Sequence, residues 1–133
     1  MNLKKSFLNL CENKEYEVNE NQISIVEKLS EYYNLNFNQS LIKKIFKNKN
    51  KKSGFYLVGD VGVGKTMILN FFFSLLKEKK YRLHFNEFMI KFHEFIFENK
   101  KKGKNHGLEK FVEKLSDKTQ ILYFDEFQVT NIV

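Results

Sequence analysis

The chain has 133 residues, enough for one ordinary domain with a real core. Hydrophobic residues at 42% and aromatic residues at 16% argue against disorder, and the single cysteine, Cys11, excludes an intrachain disulfide and a thiolate metal cluster. The net charge of +7 raises nucleic acid and anionic membrane as partners, but a chain with no proline, no alanine and one arginine, rich in Lys, Asn, Ile and Phe, has the residue usage of an AT-rich genome, and most of the charge is ascribed to that.

The first residues, MNLKKSFLNLCENKEYE, lack the apolar region of a signal peptide. Residues 1 to about 46 read as helices. Asn19 can cap one of them, with Gln22 as its capping-box partner, and Val26, Leu29 and Tyr32 or Tyr33 recur at helical spacing behind it. A further helix is expected after Asn38, with Leu41, Ile42, Ile45 and Phe46 inward. KNKNKKSG, Lys47 to Gly54, reads as a solvated linker. The expected division is therefore a helical segment with a basic linker over 1–53 and an incomplete P-loop domain over 54–133.

Phe55 to Val58 is a β-prone run ending in a glycine-rich turn. Thr66 to about Lys79 follows as a largely buried helix, the Phe71-Phe72-Phe73 run being core. Its most apolar part, Met67 to Leu76, falls short of the ~18 residues of a spanning helix and carries Asn70 and Ser74. Arg82 to Phe85 reads as a second strand, Phe88 to about Glu98 as a helix, ENKKKGKNHG as a basic loop and Leu108 to Leu115 as a shorter helix. Ile121 to Phe124 is a third strand. Alternating strands and helices imply parallel βαβ units.

GDVGVGKT, Gly59 to Thr66, fits the phosphate-loop pattern G-x-x-x-x-G-K-[ST]. Gly59, Gly62 and Gly64 let the backbone approach an anion closely, and Asp60, Val61 and Val63 contribute loop N–H groups. The helix that starts near Lys65 adds the positive end of its dipole. Lys65 places a point charge on the β- and γ-phosphates of ATP, and the Thr66 hydroxyl suits Mg²⁺, which prefers oxygen ligands.

Asp125 and Glu126 follow the apolar strand. In the P-loop scheme an Asp at a strand end holds Mg²⁺, and an adjacent Glu can take a proton from the attacking water or orient it. The pair points to hydrolysis rather than phosphoryl transfer to a metabolite. His84, Glu87, His93 and Glu94 lack the spacing of H-E-x-x-H, so a structural reading is preferred to a metal site. Lys100, Lys101, Lys102 and Lys104 form a lysine run without interleaved aromatics, read as a solvated loop.

GFYLVGDVGVGKTMILNFFF, YRLHFNEFMIKFHEF and ILYFDEFQVTNI, taken together, resemble the ZapE-like ATPases of the AAA+ class, linked to cell division in bacteria and with mitochondrial relatives. The match runs from about Gly54 to Ile132. Asp60 stands where Gly is common in that family, Val63 where Arg is common and Asn131 where Asp is usual. The resemblance implies ATP binding and hydrolysis with Mg²⁺, and a homo-oligomer with ATP at subunit interfaces in the full-length form. It also implies a protein substrate or cell-division partner, at cell division or in membrane protein quality control. The expected location is the cytoplasm, at the inner membrane face, or the mitochondrial matrix in a eukaryote. A helicase-loader-like ATPase at DNA is the alternative, with nucleic acid not favoured, and a non-enzymatic nucleotide-binding remnant is another.

The strand order implied by the resemblance is 5-1-4-3-2. The chain supplies the first three strands, and the fourth strand, the arginine finger and the helical lid are expected beyond Val133. The sequence is therefore expected to be an N-terminal fragment with little ATPase activity alone.

Overall fold

The computed structural model describes residues 2–37, 54–58, 64–103 and 106–127. The chain divides into two compact units, Met1–Leu75 and Leu76–Val133. The expected helix after Asn38 and residues 47–53 of the expected Lys47 to Gly54 linker lie outside the described residues, and so does the near side of the 53/54 junction.

Three helices make the described part of the first unit: α1 (Leu3–Asn13), α2 (Glu20–Phe37) and α3 (Lys65–Leu75). In α1 the buried positions Leu3, Phe7 and Cys11 recur every fourth residue, the spacing that lines one helix face. Gln22, Val26, Leu29 and Tyr33 line one face of α2 at spacings of four, three and four, and Ile68 and Phe72 lie four apart on α3. These stripes meet. Phe7 packs edge-on against Phe71 at 5.5 Å between ring centroids, and Tyr33 against Phe72 at 6.4 Å. Of the expected core run only Phe72 is buried; Phe71 and Phe73 are half-buried, because three consecutive helical positions cannot share one face.

The capping box at α2 forms as its residue types demand. The Gln22 N–H donates to Asn19 Oδ1 at 2.9 Å, and the Asn19 N–H donates to Gln22 Oε1 at 3.4 Å. Asn19→Ala leaves one donor of the first turn without its acceptor. It is expected to cost about 1 kcal/mol, read as a lower urea midpoint at unchanged slope.

α1 ends in a Schellman arrangement: the Tyr16 N–H reaches Cys11 O at 2.8 Å and the Glu15 N–H reaches Glu12 O at 3.2 Å, which places Glu15 at φ 54°. Burial pushes the Cys11 thiol above its ordinary pKa.

The expected strand at Phe55 to Val58 is not one. Residues 54–58 carry no ladder pairing, and Tyr56 and Val58 are exposed at 66% and 72%. A β-prone run becomes a strand only when neighbours take its N–H and C=O groups. The fold is thus mixed helix and strand, and among the described residues the parallel sheet has two strands rather than three.

Those two strands belong to the second unit. β1 (Lys80–His84) and β2 (Ile121–Asp125) pair in parallel, Lys80 opposite Ile121 and His84 opposite Asp125, joined through α4 (Phe85–Lys101) and α5 (Gly107–Lys118). Their adjacency agrees with second and third strands lying side by side in the expected order. α4 runs through Glu98 to Lys101, so the first part of the expected basic loop is helix. Lys100 and Lys101 suit a helix C-terminus, and Gly103 at φ +68° closes it, its N–H on Lys100 O at 3.0 Å. α3 stops at Leu75, shorter than expected. One face of the sheet carries Leu83 and Phe124, against which the rings of Phe85 and Phe88 pack at 5.6 and 4.8 Å from Phe124; Phe111 of α5 joins through Phe88 at 5.6 Å.

Candidate functional site

Of the phosphate loop, Gly59, Asp60, Val61, Gly62 and Val63 lie outside the described residues; Gly64, Lys65 and Thr66 lie within them. Gly64 sits at φ +72°, and a Cβ there would come within 3.0 Å of Gln22 Nε2, so both conformation and space call for glycine. The Ile68 N–H donates to Gly64 O at 3.0 Å, which makes Gly64 the residue from which α3 springs. Lys65 and Thr66 are its first two helical residues, Lys65 half-buried and Thr66 exposed. The first turn of a helix presents N–H groups that no residue of the same helix can accept, and a partial positive charge with them. A lysine and a hydroxyl at that end suit a phosphate and its metal ion.

Asp125 is the last residue of β2 and Glu126 the first beyond it, both in the second unit. Glu126 has φ 51°, and it shares a positive φ with only Glu15 among the described non-glycine residues. Glu15 is explained by its helix cap; Glu126 lies in the turn that follows β2, and holding an L-residue there costs roughly 1 kcal/mol. Strain of this kind gathers at functional sites.

The Asp125 carboxylate is engaged. Arg82 Nε donates to Oδ2 at 2.7 Å and Arg82 Nη2 to Oδ1 at 2.9 Å. The register explains the pair. Arg82 lies opposite Tyr123, residues opposite in a parallel ladder share a face, and Asp125 is the next residue on that face. The guanidinium also lies 4.5 Å over the Tyr123 ring. The bonds from Arg82 hold the Asp125 carboxyl below its ordinary pKa, the positive field of Arg82 and His84 assisting. Sequence reasoning placed Arg82 on a strand and missed it as the partner of Asp125. The signal that could have found it was a strand arginine two residues out of register with a strand-end aspartate.

Asp125 is ionised in the fold more readily than in the unfolded chain, so the pair stabilises the protein above the unfolded carboxylate pKa of about 4. That contribution fades as pH falls through the depressed folded value. Arg82→Gln is therefore expected to cost a few tenths to ~1 kcal/mol at pH 7, since the pair is half-exposed. The difference from the unsubstituted chain should shrink as pH falls below ~4 and close once it passes the depressed folded value; denaturant titrations from pH 7 downward measure it.

The donor chemistry fits Mg²⁺. A Thr hydroxyl and a carboxylate are hard oxygen donors. A carboxylate has about four acceptor positions, of which Arg82 takes two and the Tyr123 hydroxyl a further one, leaving room for one metal-bound water. Among the described residues no group of His, Cys, Asp and Glu is placed to hold a metal ion by itself, and no helix is long and apolar enough to cross a membrane.

The G-K-T sequence at the start of a helix and an acidic pair closing a parallel strand are the residue types that a P-loop nucleoside triphosphatase uses. The model of one such family, described as AFG1-like ATPase, matches residues 1–133, and the chain belongs to that family. Cell division protein ZapE of Escherichia coli K12 is 40% identical over 80 residues, covering 59% of this chain and 21% of that protein. The zebrafish lactation elevated protein 1 homolog B is 34% identical over 89 residues, covering 59% of this chain and 18% of its own. An uncharacterized Schizosaccharomyces pombe protein is 33% identical over 87 residues, with the same shares. The chain thus spans about a fifth of the length of the curated relatives it matches. No solved structure matches.

Proposed function

We propose that this chain binds ATP and contributes the phosphate-binding and water-activating residues of an Mg²⁺-dependent ATPase. The observation that carries the reading is Gly64 at φ +72° leading straight into a helix whose first residues are Lys65 and Thr66. In this reading loop N–H groups from Gly59 to Gly64 and the α3 dipole hold the phosphates, and Lys65 neutralises the β- and γ-oxygens. Thr66 and Asp125 are the residues that would hold Mg²⁺, and the ion supplies charge neutralisation at the transferred phosphoryl group. Glu126 accepts hydrogen bonds from the attacking water and takes its proton. Arg82 keeps the Asp125 carboxylate ionised and aimed.

The proposed setting is a homo-oligomeric motor acting on protein partners in cell division or membrane protein quality control; the name of the ZapE relative supports the first of these. It would work in the cytoplasm beside the membrane, or in the mitochondrial matrix in a eukaryote. Titration with ATP, with and without Mg²⁺, tests the reading. Saturable binding that Mg²⁺ strengthens is expected; no binding at millimolar ATP would overturn it.

A further inference from the structure

Gln22 belongs to the cap of α2, yet half of its side chain is not used there. Its Oε1 accepts from the Asn19 N–H, and this fixes which end of the carboxamide points away. The other end, Nε2, points at Gly64, 3.0 Å from where a Cβ of that residue would stand. Gln22 is only 8% exposed. Among the described residues no acceptor meets its Nε2.

A buried amide donor without an acceptor costs about 1–3 kcal/mol. Natural structures satisfy nearly all such groups, so an orphan calls for an explanation. Here the orphan faces the residue from which α3 springs, at the end of the helix that favours negative charge. A side chain at Gly64 would not relieve it, since its Cβ would stand 3.0 Å from the amide nitrogen, tighter than ordinary contact and without an acceptor to offer.

We propose that Gln22 is a further residue of the nucleotide site, its Nε2–H donating to a phosphate oxygen of the bound nucleotide beside Gly64. The inference rests on the phosphate-loop reading. It gives the helical N-terminal segment a part in ligand binding: the capping box holds the carboxamide by its oxygen, and the nucleotide satisfies its nitrogen. An anionic acceptor suits the position because a hydrogen bond to a charged group recovers more than a neutral one.

Three variants of the 133-residue chain, with Lys65→Ala as the control for the phosphate loop, test this by calorimetric titration with ADP and with inorganic pyrophosphate. Gln22→Met keeps the length and loses the donor; about tenfold weaker binding of both ligands is expected, as loss of a charge-assisted hydrogen bond implies. Gln22→Glu keeps the capping box, loses the donor and adds a negative charge, so it should bind more weakly still. Asn19→Ala weakens the cap but leaves Nε2 in place, so it should lower the melting temperature and leave affinity within about twofold, well under the ~1.4 kcal/mol of a tenfold change.

If Gln22→Met and Gln22→Glu both bind within that margin while Lys65→Ala does not bind, the inference fails and the phosphate-loop reading stands. If Asn19→Ala weakens binding as much as Gln22→Met, the effect belongs to the cap and the inference again fails. Weakening of ADP binding without weakening of pyrophosphate binding would remove the phosphate contact. No binding of either ligand by the unsubstituted chain would remove both readings together.

Discussion

Replacing Lys65 with alanine is expected to abolish ATP binding without unfolding the protein. The ammonium is the one side-chain charge that the phosphate-loop pattern supplies to the β- and γ-phosphates. A hydrogen bond to a charged group contributes about 1.5–3 kcal/mol, and Lys65 can make more than one, so a loss of ~100-fold or more in affinity is expected. The fold should not suffer. Lys65 is the first residue of α3 and half-buried. Alanine has the best helix propensity, and a positive charge at a helix N-terminus opposes the dipole, so its removal is neutral or mildly stabilising. An unchanged melting temperature without nucleotide, together with lost binding, is the expected pair of results. Affinity within threefold of the unsubstituted chain would contradict the role given to Lys65.

Glu126→Gln separates binding from turnover. The amide has the same length and can occupy the same backbone conformation, but it cannot take a proton. General-base catalysis contributes ~10²–10⁴ in rate, so in a form of the protein that turns over, phosphate release should slow by that factor. Nucleotide affinity should stay within about threefold, since in this reading Glu126 contacts the water and not the nucleotide. Normal turnover would end the water role. Glu126→Gly adds a second readout. At φ 51° glycine carries none of the roughly 1 kcal/mol that an L-residue stores there. Raised or unchanged stability with lost turnover is the signature of strain retained for function.

The acidic pair shows how far sequence reading reaches. The apolar run from Ile121 into Asp125 is a strand, as its composition indicates, and Asp125 and Glu126 fall at its end. What Asp125 touches could not be read. Arg82 lies far from it along the chain, and only the parallel register puts the two on one face of the sheet, one step apart. The converse holds for residues 55–58. Their composition is as β-prone as that of β2, yet they form no ladder, because a strand is a relation between neighbours and composition describes one partner only.

The phosphate-loop pattern, the helix that begins at Lys65, the Asn19–Gln22 cap and the strand that ends at Asp125 were legible because each depends on residues close together in sequence. Hydrogen bonds to the nearest backbone, glycine's conformational freedom and the hydrophobic period all act over a few positions. Contacts between distant residues were decided by the tertiary structure alone. These are the clasp of Arg82 on Asp125, the aromatic packing of Phe85 and Phe88 around Phe124, and the Gln22 amide turned toward Gly64. Each depends on how helices and strands are brought together, and the geometry of that packing is set by the whole fold rather than by any local run of residues.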